Sequence, residues 1–378
     1  MSTEISWGSS DEELDGLAQA RCLPRRAYVD QSVAEAEQAT VFKRHWVAVG
    51  VAGQIPDTGS YFTTEVAGQP LLVVRSGNGD VAAFYNTCMH RGTLLCTGAG
   101  RVDEFVCPNH GWRYGVDGQL DYAPWFERVQ GFDRREAALV PVRLTVWQGV
   151  VFVNLSGDAP GLDELVPEVP SELLGYGVSA LRCVRSTDYE FPGNWKLVAE
   201  NLAEAYHIPF VHGSLGDDLR LDGFVYGETT DPLSTWYYVE RRGDEDLSVL
   251  GDSGNRAPLP AVDREGKKRL RLWRVFPNVQ FLCSPDHVVV LVIVPRGVDR
   301  SIVRAHILLA PGETAHEDIH DPLDRAMFED AWIVGRMQDG LAAEAFISGR
   351  IQVPTENNVF HFHRQIRKEL ESVGVNLE

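Results

Sequence analysis

The chain has 378 residues, 44% hydrophobic and 24% charged, enough for two or three domains and a substantial buried core. Asp and Glu number 54 against 35 Lys and Arg, a formal net charge of -19. That balance argues against a nucleic-acid binder, which needs a basic face for phosphate, and predicts a solvated acidic surface open to a basic protein partner.

The first residues, Met1 to Trp7, carry neither a basic stretch nor an apolar run, so no secretory signal is expected. The most continuous apolar run, Val288 to Val294, is too short to span a bilayer, and a cytoplasmic, membrane-free location is expected. Six cysteines (Cys22, Cys88, Cys96, Cys107, Cys183 and Cys283), only three of them close together, predict metal or redox use of the clustered ones rather than a disulfide framework. Ser32 to Trp46 reads as a helix, acidic early and basic late, as the macrodipole favours. From Trp46 the pattern becomes short alternating runs, such as Leu71–Arg75, Val81–Tyr85 and Gly149–Asn154. Gly77–Gly79 and Asp117–Gly118 read as hairpin turns, so residues 46–155 are expected to form a small antiparallel β domain. Ser156 to Gly177, rich in Pro and Gly, reads as a linker. Beyond it, strands are expected at Val184–Phe191, Thr235–Glu240, Arg269–Val275, Val288–Val294 and Val303–Leu309, with helices at Trp195–His207 and Asp324–Leu341. The fold class is α+β with a mainly antiparallel sheet. Asp244 to Lys268, polar with Gly and Pro, reads as a mobile loop of functional length.

The first chemical constellation is Asn86-Thr-Cys88-Met-His90-Arg-Gly92 followed by Cys107-Pro-Asn-His110-Gly-Trp112. It is Cys-x-His, a gap of 16 residues, then Cys-x-x-His. Zinc accepts two Cys and two His, but zinc fingers usually pair like with like on each side. Here each turn offers one thiolate and one imidazole, which suits a two-iron, two-sulfur cluster with two Cys on one iron and two His on the other.

These residues resemble the Rieske domain of ring-hydroxylating oxygenase large subunits, with Cys88, His90, Cys107 and His110 as cluster ligands. One departure is Asn109, where that family most often carries an aromatic residue. Cys96 has no ligand role in the pattern and reads as a small core residue.

The second constellation runs from Asn194-Trp195-Lys196 to His212. On a helix, Leu197, Glu200, Asn201, Glu204 and His207 share one face, and Trp195, Val198, Leu202 and Tyr206 the other. Pro209 is expected to end that helix near Ile208, leaving His212 to turn back toward His207. Alone, the polar face reads equally as a solvated stripe. A non-haem Fe(II) that activates O2 needs two His and a carboxylate. Asp330 lines up with Val334, Met337 and Leu341 on an apolar stripe, where a carboxylate must be paired or bind metal. Glu329, on a more mixed side near Ile333 and Arg336, reads as an ion-pair partner, so Asp330 is preferred.

This stretch is similar to the catalytic domain of the same oxygenases, and the resemblance covers residue 24 to the end. It implies a mononuclear iron held by His207, His212 and Asp330, with Asn201 beside it. It also implies that Glu204 bridges His207 to His110 of a neighbouring subunit in a head-to-tail trimer. Glu rather than Asp at position 204 points to the branch of choline- and carnitine-type monooxygenases. His361 and His363 read as structural.

The resemblance implies three segments: residues 1–45 packing on the catalytic domain, a Rieske domain over 46–155 and a catalytic domain over 156–378. It implies hydroxylation or oxidative demethylation of a small organic substrate. Electrons come from NAD(P)H through a separate reductase, with or without a ferredoxin, because no GxGxxG after a strand is present. The rival reading is an electron carrier whose second domain serves only assembly or binding.

Overall fold

The computed structural model describes residues 19–167, 169, 171–213, 219–227, 233–241, 256–259, 262, 266–314, 317–353 and 355–377. Most of the expected loop Asp244–Lys268, and the first part of the expected N-terminal segment, lie outside the described residues. Two compact units emerge, one of Phe42–Ala159 and one of Met1–Val41 with Pro160–Glu378.

The unit Phe42–Ala159 has ten strands: β1 (Val47–Val51), β2 (Ser60–Val66), β3 (Gln69–Arg75), β4 (Val81–Tyr85), β5 (Ala99–Arg101), β6 (Glu104–Val106), β7 (Arg113–Gly115), β8 (Leu120–Tyr122), β9 (Arg143–Trp147) and β10 (Val150–Asn154). They form three sheets, β1-β10-β9, β4-β3-β2-β5 and β6-β7-β8, antiparallel throughout. The turn Gly77–Gly79 joins β3 to β4, and Asp117–Gly118 joins β7 to β8. Leu71 to Val74 are all buried, so β3 is covered on both faces.

The other unit is built on a seven-stranded antiparallel sheet, in the order β11-β17-β16-β15-β14-β13-β12. Its strands are β11 (Arg182–Phe191), β12 (Leu219–Gly227), β13 (Ser234–Arg241), β14 (Arg269–Val275), β15 (Val279–Cys283), β16 (His287–Pro295) and β17 (Ser301–Leu309). Two of these are absent from the sequence reading. In β12, Asp222-Gly223 looks like a turn, but it sits where the register slips between Arg220 and Val225 as a bulge. β15 is only five residues and follows β14 after a tight turn.

Its helices are α1 (Arg26–Val29), α2 (Gln31–Glu37), α3 (Leu162–Leu165), α4 (Ser171–Leu174), α5 (Trp195–Asn201), α6 (Ile208–Val211), α7 (Glu317–Gly340) and α8 (Asn357–Glu371). Three sequence expectations need correction. The helix expected over Ser32–Trp46 stays helical from Gln31 to Arg44 but is not α throughout: Gln38–Phe42 is a π turn, in which Thr40 Oγ1 donates to the Ala36 carbonyl. Ser156–Gly177 is not a bare linker: Leu162, Val166, Leu173 and Tyr176 are all buried. The helix expected over Trp195–His207 stops at Asn201, and Pro209 lies in the first turn of α6, where its missing N–H costs nothing.

α5 stops early because the sheet takes its carbonyls. Arg274 Nη1 donates to Ala199 O (3.1 Å), Gln280 Nε2 to Leu202 O (2.5 Å) and Tyr237 Oη to Glu204 O (3.4 Å). Arg274, Gln280 and Tyr237 share one face, because Arg274 opposes Gln280 and Tyr237 opposes Leu272, two residues before Arg274. Every residue of α5 is buried, so its polar side chains need partners. Lys196 Nζ pairs with Glu37 Oε1 of α2 at 2.7 Å, and Trp195 Nε1 donates to Glu37 Oε2 at 2.8 Å. Glu200 Oε1 accepts from Tyr28 Oη at 2.8 Å and lies 2.9 Å from His363 Nε2 of α8. Among the described residues no helix is long and apolar enough to cross a membrane.

Candidate metal centres

In the unit Phe42–Ala159, two loops that differ in sequence close in the same way. Cys88 N donates to Thr93 O (2.8 Å) and Gly92 N to Cys88 O (2.9 Å); Cys107 N donates to Trp112 O (2.7 Å) and Gly111 N to Cys107 O (3.0 Å). The turns need a left-handed residue in each loop, supplied by Gly92 (φ 70°) and Gly111 (φ 69°). Both cysteines are buried, and burial pushes the Cys88 thiol up. The rings of His90 and His110 come within 4.7 Å of each other, and His90 stacks on Trp112 at 4.9 Å and 10°. Among the described residues, His90 Nδ1 is buried with no hydrogen-bond partner. A buried imidazole nitrogen left bare beside two thiols and a second imidazole is the donor set a [2Fe–2S] centre requires.

Polar side chains brace these loops. Tyr114 Oη accepts from Met89 N (3.0 Å) and lies 3.4 Å from Cys88 Sγ. Asn86 Oδ1 accepts from the backbone of Leu95 (3.2 Å) and Cys96 (3.3 Å). Asn109 Nδ2 donates to Thr93 Oγ1 at 3.2 Å, tying the second loop to the first. Cys96, read as a core residue, is only half-buried.

In the other unit, His207, His212 and Asp330 offer ligand atoms that all lie within 4.8 Å of one another. The two histidine Nε2 atoms are 3.3 Å apart, and Asp330 Oδ1 lies 3.5 Å from His207 Nε2 and 3.1 Å from His212 Nε2. His207 caps the start of α6 and His212 caps its end, so one short helical turn presents both imidazoles. Asp330 arrives on α7, which lies close because Gly193 and Gly335 carry no side chain. A Cβ on Gly193 would sit 2.5 Å from Val334, and one on Gly335 2.8 Å from Pro192. Gln338 Oε1 on the same helix accepts from Asn194 N, the N-cap of α5, at 2.8 Å.

The outer atoms of the triad are also held. His207 Nδ1 lies 2.5 Å from Glu204 Oε1, whose Oε2 accepts from the backbone of Tyr206 and His207. His212 Nδ1 lies 2.8 Å from Glu329 Oε2, and Asn201 Nδ2 donates to Asp330 Oδ1 at 2.7 Å. A carboxylate behind a ligating imidazole sets its tautomer and its basicity. Burial opposes charge on His207, yet Asp330 and Glu204 outweigh it and raise its pKa to about 10. Burial likewise opposes charge on His212, and Asp330 and Glu329 raise it. Burial disfavours ionised Asp330, but the two histidines hold it at about 2. A divalent cation would supply the positive charge that protons supply here.

Asp330 is buried with Val334 and Leu341 as its stripe predicts, although Met337 is 38% exposed. Tyr206, placed on the helix face of Trp195, Val198 and Leu202, is 48% exposed where those three are buried, because the chain leaves the helix before it. Glu329 makes an ion pair, but with His212, which brings it into the site. Its helix position alone gives no signal of a partner 117 residues away.

Two family models match the chain: the Rieske [2Fe-2S] domain over residues 45–133 and the ring hydroxylating alpha subunit (catalytic domain) over residues 178–372. The chain is 35% identical to the glycine betaine monooxygenase oxygenase subunit of Chromohalobacter salexigens, over 57% of this chain and 48% of that one. It is 26% identical to the chloroplastic choline monooxygenase of Spinacia oleracea, over 93% of this chain and 79% of that one. It is 32% identical to the carnitine monooxygenase oxygenase subunit of Escherichia coli K12, over 54% of this chain and 56% of that one. The first and third matches thus span about half the length of those relatives. The fold is similar to that of the quaternary ammonium Rieske monooxygenase CntA in complex with L-carnitine (TM-score 0.80, 22% identity, 97% of this chain and 99% of that one). It is also similar to naphthalene 1,2-dioxygenase with indole bound (TM-score 0.74, 19% identity, 94% and 93%).

Proposed function

The chain belongs to the family of ring-hydroxylating alpha subunits with a Rieske [2Fe-2S] domain, and from that we propose that it is the terminal oxygenase of a multicomponent system acting on small N-methylated ammonium compounds. The observation that carries this reading is the convergence of His207, His212 and Asp330, with Glu204 and Glu329 behind the two imidazoles. When bound, the cluster supplies single electrons and the mononuclear iron activates O2.

Cys88, Cys107, His90 and His110 hold the cluster in this reading, and His207, His212 and Asp330 hold the iron. Asn201 orients the Asp330 carboxylate. Glu204 keeps the Nδ1 proton of His207 in place and, as the bridge between subunits, links His207 to His110 of a neighbour. That role requires a head-to-tail ring, most simply a homotrimer. The exposed aromatics Tyr206, Phe210, Phe328 and Trp332 beside the iron site favour a covered surface there. The relatives' names support monooxygenation of a quaternary ammonium compound, and oxidative loss of a methyl group from nitrogen is one outcome of such a step. An NAD(P)H-dependent reductase is the electron source, and the cytoplasm is the location.

Iron analysis with an O2-uptake assay tests this. About three irons per chain and uptake stimulated by choline, glycine betaine or carnitine are expected in the presence of a surrogate reductase. About two irons per chain and no substrate-dependent uptake would establish an electron carrier instead. A solution mass three times 42.0 kDa checks the trimer.

A further inference from the structure

Directly opposed residues of an antiparallel sheet share a face, so the register carries the metal-site face across the sheet. Tyr237, whose hydroxyl reaches Glu204 O, opposes Leu272; Leu272 opposes Leu282, Leu282 opposes Val289, and Val289 opposes Ile307. His287 lies two residues before Val289 on β16 and therefore looks out from the same face.

His287 is completely buried. Its Nδ1 lies 2.7 Å from Asp286 Oδ1, and Asp286 Oδ2 accepts from Arg256 Nε at 2.9 Å. Among the described residues its Nε2 is buried with no partner, and so is the Oγ of Ser284 in the adjoining turn, where Ser284 N donates to His287 O at 3.0 Å. A filler role would be met by apolar residues, as it is at Val288 to Leu291. Instead two polar atoms have been taken out of water with no partner among the described residues, which is unfavourable unless a ligand completes them. The Asp286 carboxylate fixes the His287 ring, as carboxylates do for functional imidazoles. Between this polar end and Gln280 the face is apolar. Leu272, Leu282 and Val289 are all buried on that face.

We propose that Ser284 and His287 are specificity-determining residues that bind the oxygen-bearing end of the substrate, a hydroxyl or a carboxylate, while its N-methyl end lies at the metal centre. This inference rests on the oxygenase reading and adds the second pole of the substrate. A hydroxyl donates to Nε2 and accepts from the serine; a carboxylate accepts from the serine and from a doubly protonated imidazole.

Anaerobic calorimetric titration of the iron-loaded protein tests it, with choline, glycine betaine and propyltrimethylammonium as probes. The wild type is expected to bind choline or glycine betaine at least about tenfold more tightly than propyltrimethylammonium. Ser284→Ala and His287→Gln should each bring that preference below about threefold while propyltrimethylammonium binding persists. Ser284→Ala removes one atom and keeps the test valid if the histidine variant fails to fold. Which oxygenated probe is preferred separates hydroxyl from carboxylate recognition. A wild-type preference retained in Ser284→Ala, or a wild type that binds all three probes equally, overturns the inference. Binding of none of the three by the wild type would instead overturn the N-methylammonium reading on which it rests.

Discussion

His212 Nδ1 lies 2.8 Å from Glu329 Oε2, while the next residue of α7, Asp330, reaches the opposite nitrogen of the same ring at 3.1 Å. Two adjacent carboxylates of one helix thus hold both edges of one imidazole. Glu329→Gln keeps the size and removes the charge. Iron affinity at the mononuclear site is expected to weaken about 10–100-fold, the usual effect of losing a carboxylate behind a ligating histidine. Chelator competition measures it, and an unchanged affinity would make Glu329 a bystander.

Asp330→Ala should abolish the mononuclear site. It removes one ligand and leaves Asn201 Nδ2 without its acceptor. Iron is expected to fall from about three to about two per chain, with the visible spectrum of the cluster intact. Full iron content in this variant would exclude Asp330 as a ligand.

Glu204→Gln separates metal binding from electron delivery. The amide oxygen can still accept from the backbone of Tyr206 and His207, so the chain should fold around both centres. Turnover is expected to drop at least about 100-fold, with a cluster that reduces but is slow to reoxidise. Stopped-flow absorbance follows that step, and reoxidation at the wild-type rate would contradict a bridging role.

The metal-free protein should lose stability in base. Folding raises the His207 pKa from 6.5 to about 10, so the stability its proton contributes is complete below 6.5 and is lost as pH rises through about 10. Asp330 works in the other direction. Its pKa falls from 3.8 to about 2, so its contribution is present above 3.8 and is lost as pH falls through about 2. The urea midpoint of metal-free protein should therefore decline between pH 6.5 and 10. Iron-loaded protein should stay nearly flat there, since the metal replaces the proton. Parallel pH profiles for the two forms would refute the coupling.

What the sequence alone determined is local. Cys88 to Gly92 and Cys107 to Trp112 are turns closed by their own backbone, so ligand type, spacing and glycine placement were enough to read the cluster loops. His207 and His212, five residues apart across one short turn, were legible as a pair, but spacing alone left a solvated stripe open and the family resemblance decided between the two. Asp330 was legible as a carboxylate on an apolar stripe, because burial of a lone charge demands a partner.

The tertiary structure alone decided where α5 ends, because the carbonyls of Leu202 and Glu204 go to Gln280 and Tyr237 on distant strands. It also assigned Glu329 to His212, and it put His287 on the face that carries the metal centre. Those relationships depend on sheet register and helix packing between residues many tens of positions apart. Helical periodicity within one segment holds no record of which strand will lie beneath it.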